Sequence, residues 1–371
     1  MQKNVGDNIR YKNRRGISKK LHKKTIIFLA IFTILIVVLG TYIYVEKFTT
    51  KNVSSEKKKE VIKEPEPEPE VQIFKGDSRP IAVMIDNEPG AWPHAGLQDA
   101  YMIYEVIVEG GQTRIMALFK GTGTAKIGPV RSSRHYFVEY AMEHSAIYAH
   151  FGWSPQAESR IKSNGVNNIN GLYYDGTTFW REGSGYHTAF TSIDNLNKRA
   201  TDLGYLTTSS TEPIYKYSAR EYNLEKGKEV TGIDMVYSTS HNVSYTYDEA
   251  RKVFLRSQRG SVYIDRVTKE QYYAKNIIVI TAKNYTLNDN SGKGRQEVVN
   301  EGTGLGYYLT NGKCINITWK KDDINSKTYI YDEVGEEIIL NDGITFFQVI
   351  PEGQSITVNY KEIVQENPQN Q

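Results

Sequence analysis

The feature that most restricts what this chain can form is an uncharged apolar run near its N-terminus. The run begins at Thr25, ends at Val45 and reads TIIFLAIFTILIVVLGTYIYV. Folded as a helix, a run of this length spans the hydrocarbon core of a bilayer. It is longer than the apolar part of a usual signal peptide, and no A-x-A-like cleavage site follows it. The sequence therefore predicts an uncleaved transmembrane signal anchor over residues 25–45.

The charges on either side of this run predict its orientation. Residues 1–24 contain nine Lys and Arg residues and one acidic residue, Asp7. Basic segments stay on the cytoplasmic side of a membrane. We therefore expect a single-pass protein of the cell membrane, with residues 1–24 in the cytoplasm and all that follows residue 45 outside.

Residues 46–74 are charged, almost free of apolar side chains, and include the tract EPEPEPE. Alternating Glu and Pro cannot build a core, and proline favours an extended polyproline conformation. The sequence predicts a disordered linker that holds the folded part away from the membrane.

The remaining sequence predicts folded domains outside the membrane. A chain of 371 residues with 39% hydrophobic residues is long enough for about two domains. Composition and patterning predict a mixed α+β protein, with an α/β domain over residues 75–217, a mainly β domain over 230–357 and a polar tail over 358–371. Cys314 is the single cysteine, which excludes an internal disulfide and a cysteine-rich zinc site.

The net charge argues against a nucleic-acid partner. Residues 1–74 hold 15 of the 46 Lys and Arg residues and 8 of the 43 Asp and Glu residues. The remainder carries 31 basic and 35 acidic residues. A nucleic-acid-binding domain normally has the opposite balance.

The first strand of the folded part is predicted within residues 79–87, RPIAVMIDN. An unbroken apolar run fits a strand that is buried on both faces. Asp86 and Asn87 then stand at its carboxyl end, where open α/β sheets place their ligands. The alternative is an Asx turn at the end of the strand.

A hairpin is predicted next, with strands over residues 100–109 and 113–119 and a turn at Gly110 and Gly111. Glu105 and Glu109 share one face of the first strand but lie roughly 13 Å apart, too far for a close carboxylate pair. A two-residue turn would place Arg114 opposite Ile107, between the two glutamates. A structural Glu–Arg–Glu ladder is favoured over a two-carboxylate hydrolase, which stays open.

The motif GPVRSSR at residues 128–134 precedes an apolar pattern of helical spacing. Gly-Pro makes a turn, and Ser132 is a suitable helix N-cap. Arg131 and Arg134 would then lie at a helix N-terminus, which favours a bound phosphate or carboxylate. The alternative is a pair of surface arginines beside an ordinary cap.

Further polar residues follow in loops. His150 ends a short predicted strand and could be a core histidine, a general base or a metal ligand. Ser154 before Pro155 fits a helix cap. Arg181 and His187 flank a glycine-rich loop, where sites often form. His144 and His150 do not match the spacing of a metal motif, so no metal is predicted. No cofactor is predicted either.

The second half has the pattern of short strands rich in β-branched and aromatic residues. The clearest signal is Asn311-Gly312 between two such runs, which predicts a tight hairpin. Cys314, on this hairpin, is predicted to be a small buried side chain.

The blocks RPIAVMIDN, AGLQDAYMIYEVIVEGGQTRIMALF, IGPVRSSR and HFGWSP resemble the YerB-like lipoprotein family of Gram-positive envelope proteins, whose domains have no assigned function. The resemblance also covers the region around LNDGITFFQVIP. This sequence departs from the family pattern in two places. A predicted membrane helix stands where members often carry a lipid-modified Cys, and Thr188 stands where Asn is usual. The family's characteristic positions are implied to be Asp86, Asn87, Glu105, Glu109, Gly110, Gly111, Thr113, Arg114, Arg131, Ser132, Arg134, Arg181 and His187.

Three functions remain open from sequence. In the first, the protein binds an anionic cell-envelope polymer, such as peptidoglycan or a teichoic acid. The second is a cell-wall hydrolase or transferase, and the third a docking partner of an envelope protein machine. The predicted ligand contacts are Asn87, Arg114, Arg131, Ser132, Arg134 and Arg181, with Trp153, Trp180 and Tyr136 stacking on sugars, and the catalytic candidates are Asp86, Glu105, Glu109, His150 and His187.

Overall fold

A computed structural model describes residues 14–53, 69–73, 76–209 and 212–362. The chain divides into two compact units, Met1–Glu68 and Pro69–Gln371. The second unit has its own large apolar core.

The first unit contains one long helix, α1, over Arg14–Val53. Its part Lys23–Phe48 has a mean hydropathy of 2.8 and is long and apolar enough to cross a membrane. The predicted span of residues 25–45 lies within it. Residues 46–53, which the sequence assigns to the linker, continue the helix. Residues 54–68 of that predicted linker lie outside the described residues.

The second unit contains the other four helices and the strands of the described part of the chain. The helices are α2 (His135–Glu143), α3 (Pro155–Ser163), α4 (Gly171–Tyr174) and α5 (Ile193–Asp202). The strands are β1 (Ile81–Asp86), β2 (Met102–Ile107), β3 (Thr113–Phe119), β4 (Ile147–His150), β5 (Asn168–Asn170), β6 (Trp180–Arg181), β7 (Ala189–Phe190), β8 (Lys216–Ser218), β9 (Lys228–Ser238), β10 (His241–Asp248), β11 (Val253–Gln258), β12 (Ser261–Val262), β13 (Tyr273–Ala274), β14 (Asn276–Ala282), β15 (Asn284–Thr286), β16 (Gln296–Val298), β17 (Gly302–Thr310), β18 (Lys313–Lys321), β19 (Tyr329–Tyr331), β20 (Ile339–Asn341), β21 (Thr345–Pro351) and β22 (Ile356–Tyr360).

One large sheet runs through both predicted domains. Its strand order is β12-β11-β10-β9-β18-β17-β14-β21-β2-β3-β1-β4-β5. Strand β21, from the second predicted domain, pairs in parallel with β2 of the first and with β14 of the second. The mixed α/β architecture with a mainly β second half confirms the predicted fold class.

Local sequence signals formed as expected. Strand β1 is buried along its whole length, as its apolar run requires. Ser154 caps α3, with its hydroxyl accepting from the Ala157 amide at 3.2 Å. The turn between β17 and β18 is Asn311-Gly312, with φ of 47° and 71°. Both residues have the positive φ that this tight turn requires.

The sheet brings several strand ends to one edge. Strands β1, β4 and β5 are mutually parallel, and β2 is parallel to β21. Since β3 is antiparallel to both β1 and β2, the carboxyl ends of β1, β2, β4, β5 and β21 lie at the same edge. This edge carries Asp86 at the end of β1.

Candidate functional site

Asp86 is the centre of a polar cluster at the carboxyl edge of the sheet. Its side chain is only 1% exposed. The Oδ2 atom accepts a hydrogen bond from Nδ1 of His187 at 2.6 Å and lies 3.1 Å from Nε of Arg131. The Oδ1 atom accepts from the Glu88 amide at 3.3 Å, so the Asx turn considered from sequence also forms. One carboxylate thus holds two cationic or titratable side chains.

Arg131 reaches Asp86 because its segment is extended. The Asp86 amide donates to the Pro129 carbonyl, and the Arg131 amide donates to the Met84 carbonyl, both at 2.9 Å. The Phe151 amide donates to the Arg131 carbonyl at 2.9 Å. Backbone paired in this way cannot begin a helix.

The predicted helix start at Ser132 is therefore wrong. Helix α2 begins at His135, with Arg134 at the N-cap position and no side-chain cap. The Ser132 hydroxyl instead donates to the Phe151 carbonyl at 2.9 Å. Arg134 therefore lies at the start of α2, whereas Arg131 lies on the extended segment before it and not in the first turn.

His187 approaches Asp86 from the glycine-rich loop between β6 and β7. A Cβ atom on Gly90 would lie 2.9 Å from Cδ2 of His187, so a glycine at position 90 leaves room for the imidazole. The His187 side chain is 27% exposed, and its Nε2 atom lies 3.9 Å from Oε2 of Glu88. One ring nitrogen is held by Asp86, and the other lies near the exposed carboxylate of Glu88.

Arg114 lies beside this group on β3. It pairs with Asp86 across the strands, so the two side chains share a face of the sheet. Arg114 is 5% exposed, and its Nη1 atom donates to the Ser132 carbonyl at 2.7 Å. Its Nε atom is buried without a hydrogen-bond partner among the described residues. We call Asp86, Arg114, Arg131 and His187 the Asp86 cluster.

The electrostatics of Arg114 are unfavourable. Burial, together with the charges of Arg134 and Arg131, lowers the pKa of Arg114 to about 10, against the opposing effect of Glu109 and Asp86. No carboxylate lies within ion-pair distance of Arg114 among the residues that the structure describes. Its positive charge is thus only partly compensated.

Arg134 and Glu109 form a separate ion pair. The Nε and Nη2 atoms of Arg134 donate to the two carboxylate oxygens of Glu109 at 2.7 and 2.8 Å. Burial alone would raise the pKa of Glu109, but Arg134 lowers it below its usual value. This bidentate contact occupies both side chains.

The predicted Glu–Arg–Glu ladder is wrong because the hairpin loop is longer than two residues. The Val108 amide donates to the Gln112 carbonyl at 2.8 Å across a turn at Glu109–Gly111. Arg114 consequently pairs with Val106. A shift of one residue moves a side chain to the opposite face of the sheet, away from Glu105.

Glu105 lies in a second, fully buried network on the other face. It accepts from Arg256 at 2.7 Å, and its Oε1 atom lies 2.9 Å from Nε2 of His241. Thr113 donates to it at 2.7 Å and Asn87 at 3.0 Å. Asn87 and Glu105 therefore do not join the Asp86 cluster.

The remaining predicted residues lie elsewhere. His150 is buried, with Nδ1 at 2.8 Å from the Gly152 carbonyl, and burial lowers its pKa to about 4. Arg181 binds Asp175 at 3.0 Å, and its guanidinium lies 4.3 Å from the centre of the Phe151 ring. Both have local partners of their own.

Sequence reasoning missed Glu88, Arg256 and His241. Glu88 stands two residues after Asp86, and its position beside His187 depends on a loop about 100 residues away. Arg256 and His241 come from the second half of the chain, and no local pattern distinguishes them from other strand residues.

Asp86, Glu88 and His187 place one ligand atom each within 4.8 Å of one another, a spacing that could hold a metal ion. The guanidinium of Arg131 faces the same two carboxylates, with Nη2 at 3.9 Å from Glu88 and Nε at 3.1 Å from Asp86. It already supplies positive charge there, so a cation would have to displace it. The sequence-based expectation of no metal stays a prediction.

Comparisons with known proteins match most of the second unit. The N-terminal domain of a family described as protein of unknown function DUF3048 matches residues 67–206, and its C-terminal domain matches residues 233–347. A Bacillus subtilis protein named "Putative lipoprotein YerB" is 29% identical over 291 residues, which are 77% of this chain and 85% of that protein. A crystal structure of the YerB protein from Bacillus subtilis aligns with a TM-score of 0.68 and 28% identity, covering 78% of this chain and 96% of the other.

Both DUF3048 domains follow in sequence after an apolar helix that is long enough to cross a membrane. The chain belongs to the YerB-like family, which confirms the resemblance seen in its sequence blocks.

Proposed function

We propose that this protein binds an anionic group of a cell-envelope polymer at the Asp86 cluster. The proposal rests on one observation: the guanidinium of Arg114 is buried, and no carboxylate of the described residues lies within ion-pair distance of it. Three carboxylates lie near the guanidinium groups of Arg114, Arg131 and Arg134, but Asp86 and Glu88 contact Arg131 and Glu109 contacts Arg134, so among the described residues none pairs with Arg114. A buried charge that is only partly compensated is costly, and a bound anion would reduce that cost.

Phosphate and carboxylate are the anions that suit this cluster. The planar guanidinium donates two parallel hydrogen bonds to either group. Arg131 is 22% exposed and His187 27% exposed. An anion would approach from their side, with Arg114 behind them.

The compartment limits the choice of anion. In the proposed topology the basic N-terminal tail is cytoplasmic and the second unit lies outside, following the distribution of Lys and Arg around α1. Peptidoglycan carboxylates and teichoic-acid phosphates are the polymer-borne anions found there. Protease treatment of intact spheroplasts tests the topology, since the second unit should be digested while the tail is protected.

Sedimentation with purified Gram-positive sacculi tests the binding. We expect the protein to pellet with sacculi, and Arg114→Gln and Arg131→Gln to reduce the bound fraction at least tenfold. Arg251→Gln is the matched control because it removes the same charge from an exposed turn outside the cluster. Equal retention of all three variants would contradict the proposal.

A second candidate, hydrolysis of the envelope polymer, is favoured by the 2.6 Å contact between Asp86 and His187. A carboxylate that holds Nδ1 of a histidine orients the ring and leaves Nε2 free to accept a proton from water. Release of soluble fragments from sacculi by the wild-type protein, abolished in His187→Gln, would establish this function. Binding without release would leave the cluster as a binding site alone.

A further inference from the structure

Exposed apolar side chains lie next to the Asp86 cluster. Leu172 and Tyr173 on α4 are 59% and 67% exposed, although both are large and apolar. The rings of Trp153 and Tyr173 pack edge to face, with their centroids 6.2 Å apart. We call Trp153, Leu172 and Tyr173 the aromatic ledge.

The ledge is held in place by its backbone. The Asn170 side chain accepts from the Leu172 amide at 3.1 Å and from the Gly152 amide at 2.9 Å, which fixes the start of α4. A Cβ atom on Gly171 would lie 2.1 Å from the Phe151 ring, so α4 packs closely on the loop after β4. The exposed side chains therefore stand on a fixed support.

Gly152 and Ser132 lie between the ledge and Arg114. A Cβ atom on Gly152 would lie 3.2 Å from the Ser132 hydroxyl and 3.7 Å from Cδ1 of Leu172. The Ser132 carbonyl accepts from Arg114 at 2.7 Å. Gly152 thus leaves open the space between the ledge and the segment that carries the cationic groups.

A further aromatic ring flanks the cluster. Tyr186 is 77% exposed, and its ring centre lies 5.5 Å from the guanidinium carbon of Arg131. Its carbonyl also accepts from Nη1 of Arg131 at 3.4 Å. Aromatic surface therefore adjoins both the Arg114 side and the Arg131 side of the cluster.

We infer that the ligand is an acidic glycan, with its carboxylate or phosphate in the Asp86 cluster and a neighbouring sugar ring on the aromatic ledge. This inference rests on the proposed anion binding. Exposed apolar side chains rimmed by polar groups mark interaction sites, and Tyr and Trp offer an apolar face beside a polar atom, which suits an amphipathic ring. The charge of the neighbouring cluster selects an acidic partner.

The ledge differs from the sugar-stacking residues predicted from sequence. Tyr136 is fully buried, and its hydroxyl donates to the Ile107 carbonyl at 2.7 Å. Trp180 stacks on Phe190 with ring centroids 6.4 Å apart. Of the three predicted aromatic residues, Trp153 alone is part of the ledge.

The test measures the affinity of the full chain in detergent for three probes. Inorganic polyphosphate provides charge without sugar, and soluble peptidoglycan strands and purified teichoic acid provide the two sources of acidic glycan. We expect Leu172→Ala and Tyr173→Ala to weaken glycan binding about tenfold, the effect of truncating a well-placed anchor side chain, and to leave polyphosphate binding unchanged. Tyr173→Phe should retain wild-type affinity, and Tyr285→Ala, which truncates a 49% exposed tyrosine on β15, is the matched control.

The outcomes separate the two proposals. If the wild-type chain binds none of the three probes, the anion site itself is refuted. If it binds them but Leu172→Ala and Tyr173→Ala keep wild-type affinity for both glycans, anion binding stands and the glycan inference fails. If Leu172→Ala and Tyr173→Ala weaken polyphosphate binding as much as glycan binding, the glycan inference also fails.

Discussion

Replacing Glu105 by Gln is the most informative perturbation of the fold. The carboxylate is fully buried and contacts Arg256 at 2.7 Å and His241 at 2.9 Å. Gln keeps the size of the side chain and its hydrogen bonding to Thr113 and Asn87. It removes the negative charge and leaves the Arg256 guanidinium buried without a counterion.

Two arguments give the expected loss of unfolding free energy in Glu105→Gln. Removing one member of a buried ion pair costs about 3–5 kcal/mol of unfolding free energy. Burial alone would raise the pKa of Glu105, but the charge of Arg256 and hydrogen bonds from His241 and Thr113 lower it to about 2. Measured from the usual value of 4.5, that shift corresponds to about 3 kcal/mol.

The lowered pKa of Glu105 also predicts that the stability of the protein depends on pH. A carboxylate whose pKa is depressed on folding stabilises the protein above its unfolded pKa, and this contribution is lost as the pH falls through the folded value. The contribution of Glu105 is therefore complete above pH 4.5 and decreases toward pH 2. About 2 kcal/mol of it should disappear between pH 7 and pH 3.

Urea denaturation of the unit Pro69–Gln371 measures both effects. Trp92 is a local fluorescence probe, because its indole nitrogen donates to Asn87 of the same network at 2.9 Å. Glu229→Gln is the matched control, since Glu229 is an exposed glutamate whose contact with Lys361 is long, at 3.6 Å. It should change stability by less than about 0.5 kcal/mol.

The double variant Glu105→Gln/Arg256→Met tests whether the loss comes from the ion pair. Removing both charges should cost less than the sum of the two single changes, because no charge remains buried and unpaired. A loss below about 1 kcal/mol for Glu105→Gln, or strict additivity in the double variant, would refute the ion-pair reasoning.

Three further predictions concern stability. Lys321 is fully buried against Glu143, so Lys321→Met should destabilise the unit by about 3–5 kcal/mol in urea, and a loss near zero would contradict this. Burial lowers the pKa of His94 to about 4 and that of His144 to about 3. Both histidines therefore stay neutral in the folded protein, whereas in the unfolded chain they take up protons below pH 6.5. The free energy of unfolding should consequently fall between pH 6.5 and 4 by about 1.4 kcal/mol per pH unit for each histidine. His144→Gln should make that slope shallower in thermal melts, and an unchanged slope would refute the assignment. Ser154→Ala should cost about 1 kcal/mol through loss of the α3 cap, whereas Ser154→Asp should retain most of the stability.

Sequence predicted the parts of this protein that depend on neighbouring residues. The apolar run near the N-terminus predicted a long apolar helix, the run before Asp86 predicted a buried strand, and Asn311-Gly312 predicted a tight hairpin. Ser154 before Pro155 predicted a helix cap in the same way. In each case the physical cause acts within a few residues, through periodicity, φ preference or capping.

The candidate site was predicted only in part. Asp86, Arg131 and His187 were each singled out, but sequence assigned Arg131 to a helix start and left His187 in a loop without a partner. The register of the β2–β3 hairpin placed Arg114 with Asp86 rather than with Glu105. A single extra residue in a turn decides such a register, and hydrophobic pattern does not report it when both faces are buried.

The sequence by itself determined the long apolar helix, most element types and the family to which the chain belongs. Tertiary structure decided which charges meet. Glu105 is 136 residues from His241 and 151 from Arg256 in sequence, and Asp86 is 101 residues from His187. Contacts at such separations arise from strand order, since β21 joins the two halves in one sheet and the carboxyl ends of parallel strands converge. The physical reason is that side-chain chemistry is local, whereas the pairing of charges follows from how the whole sheet is assembled.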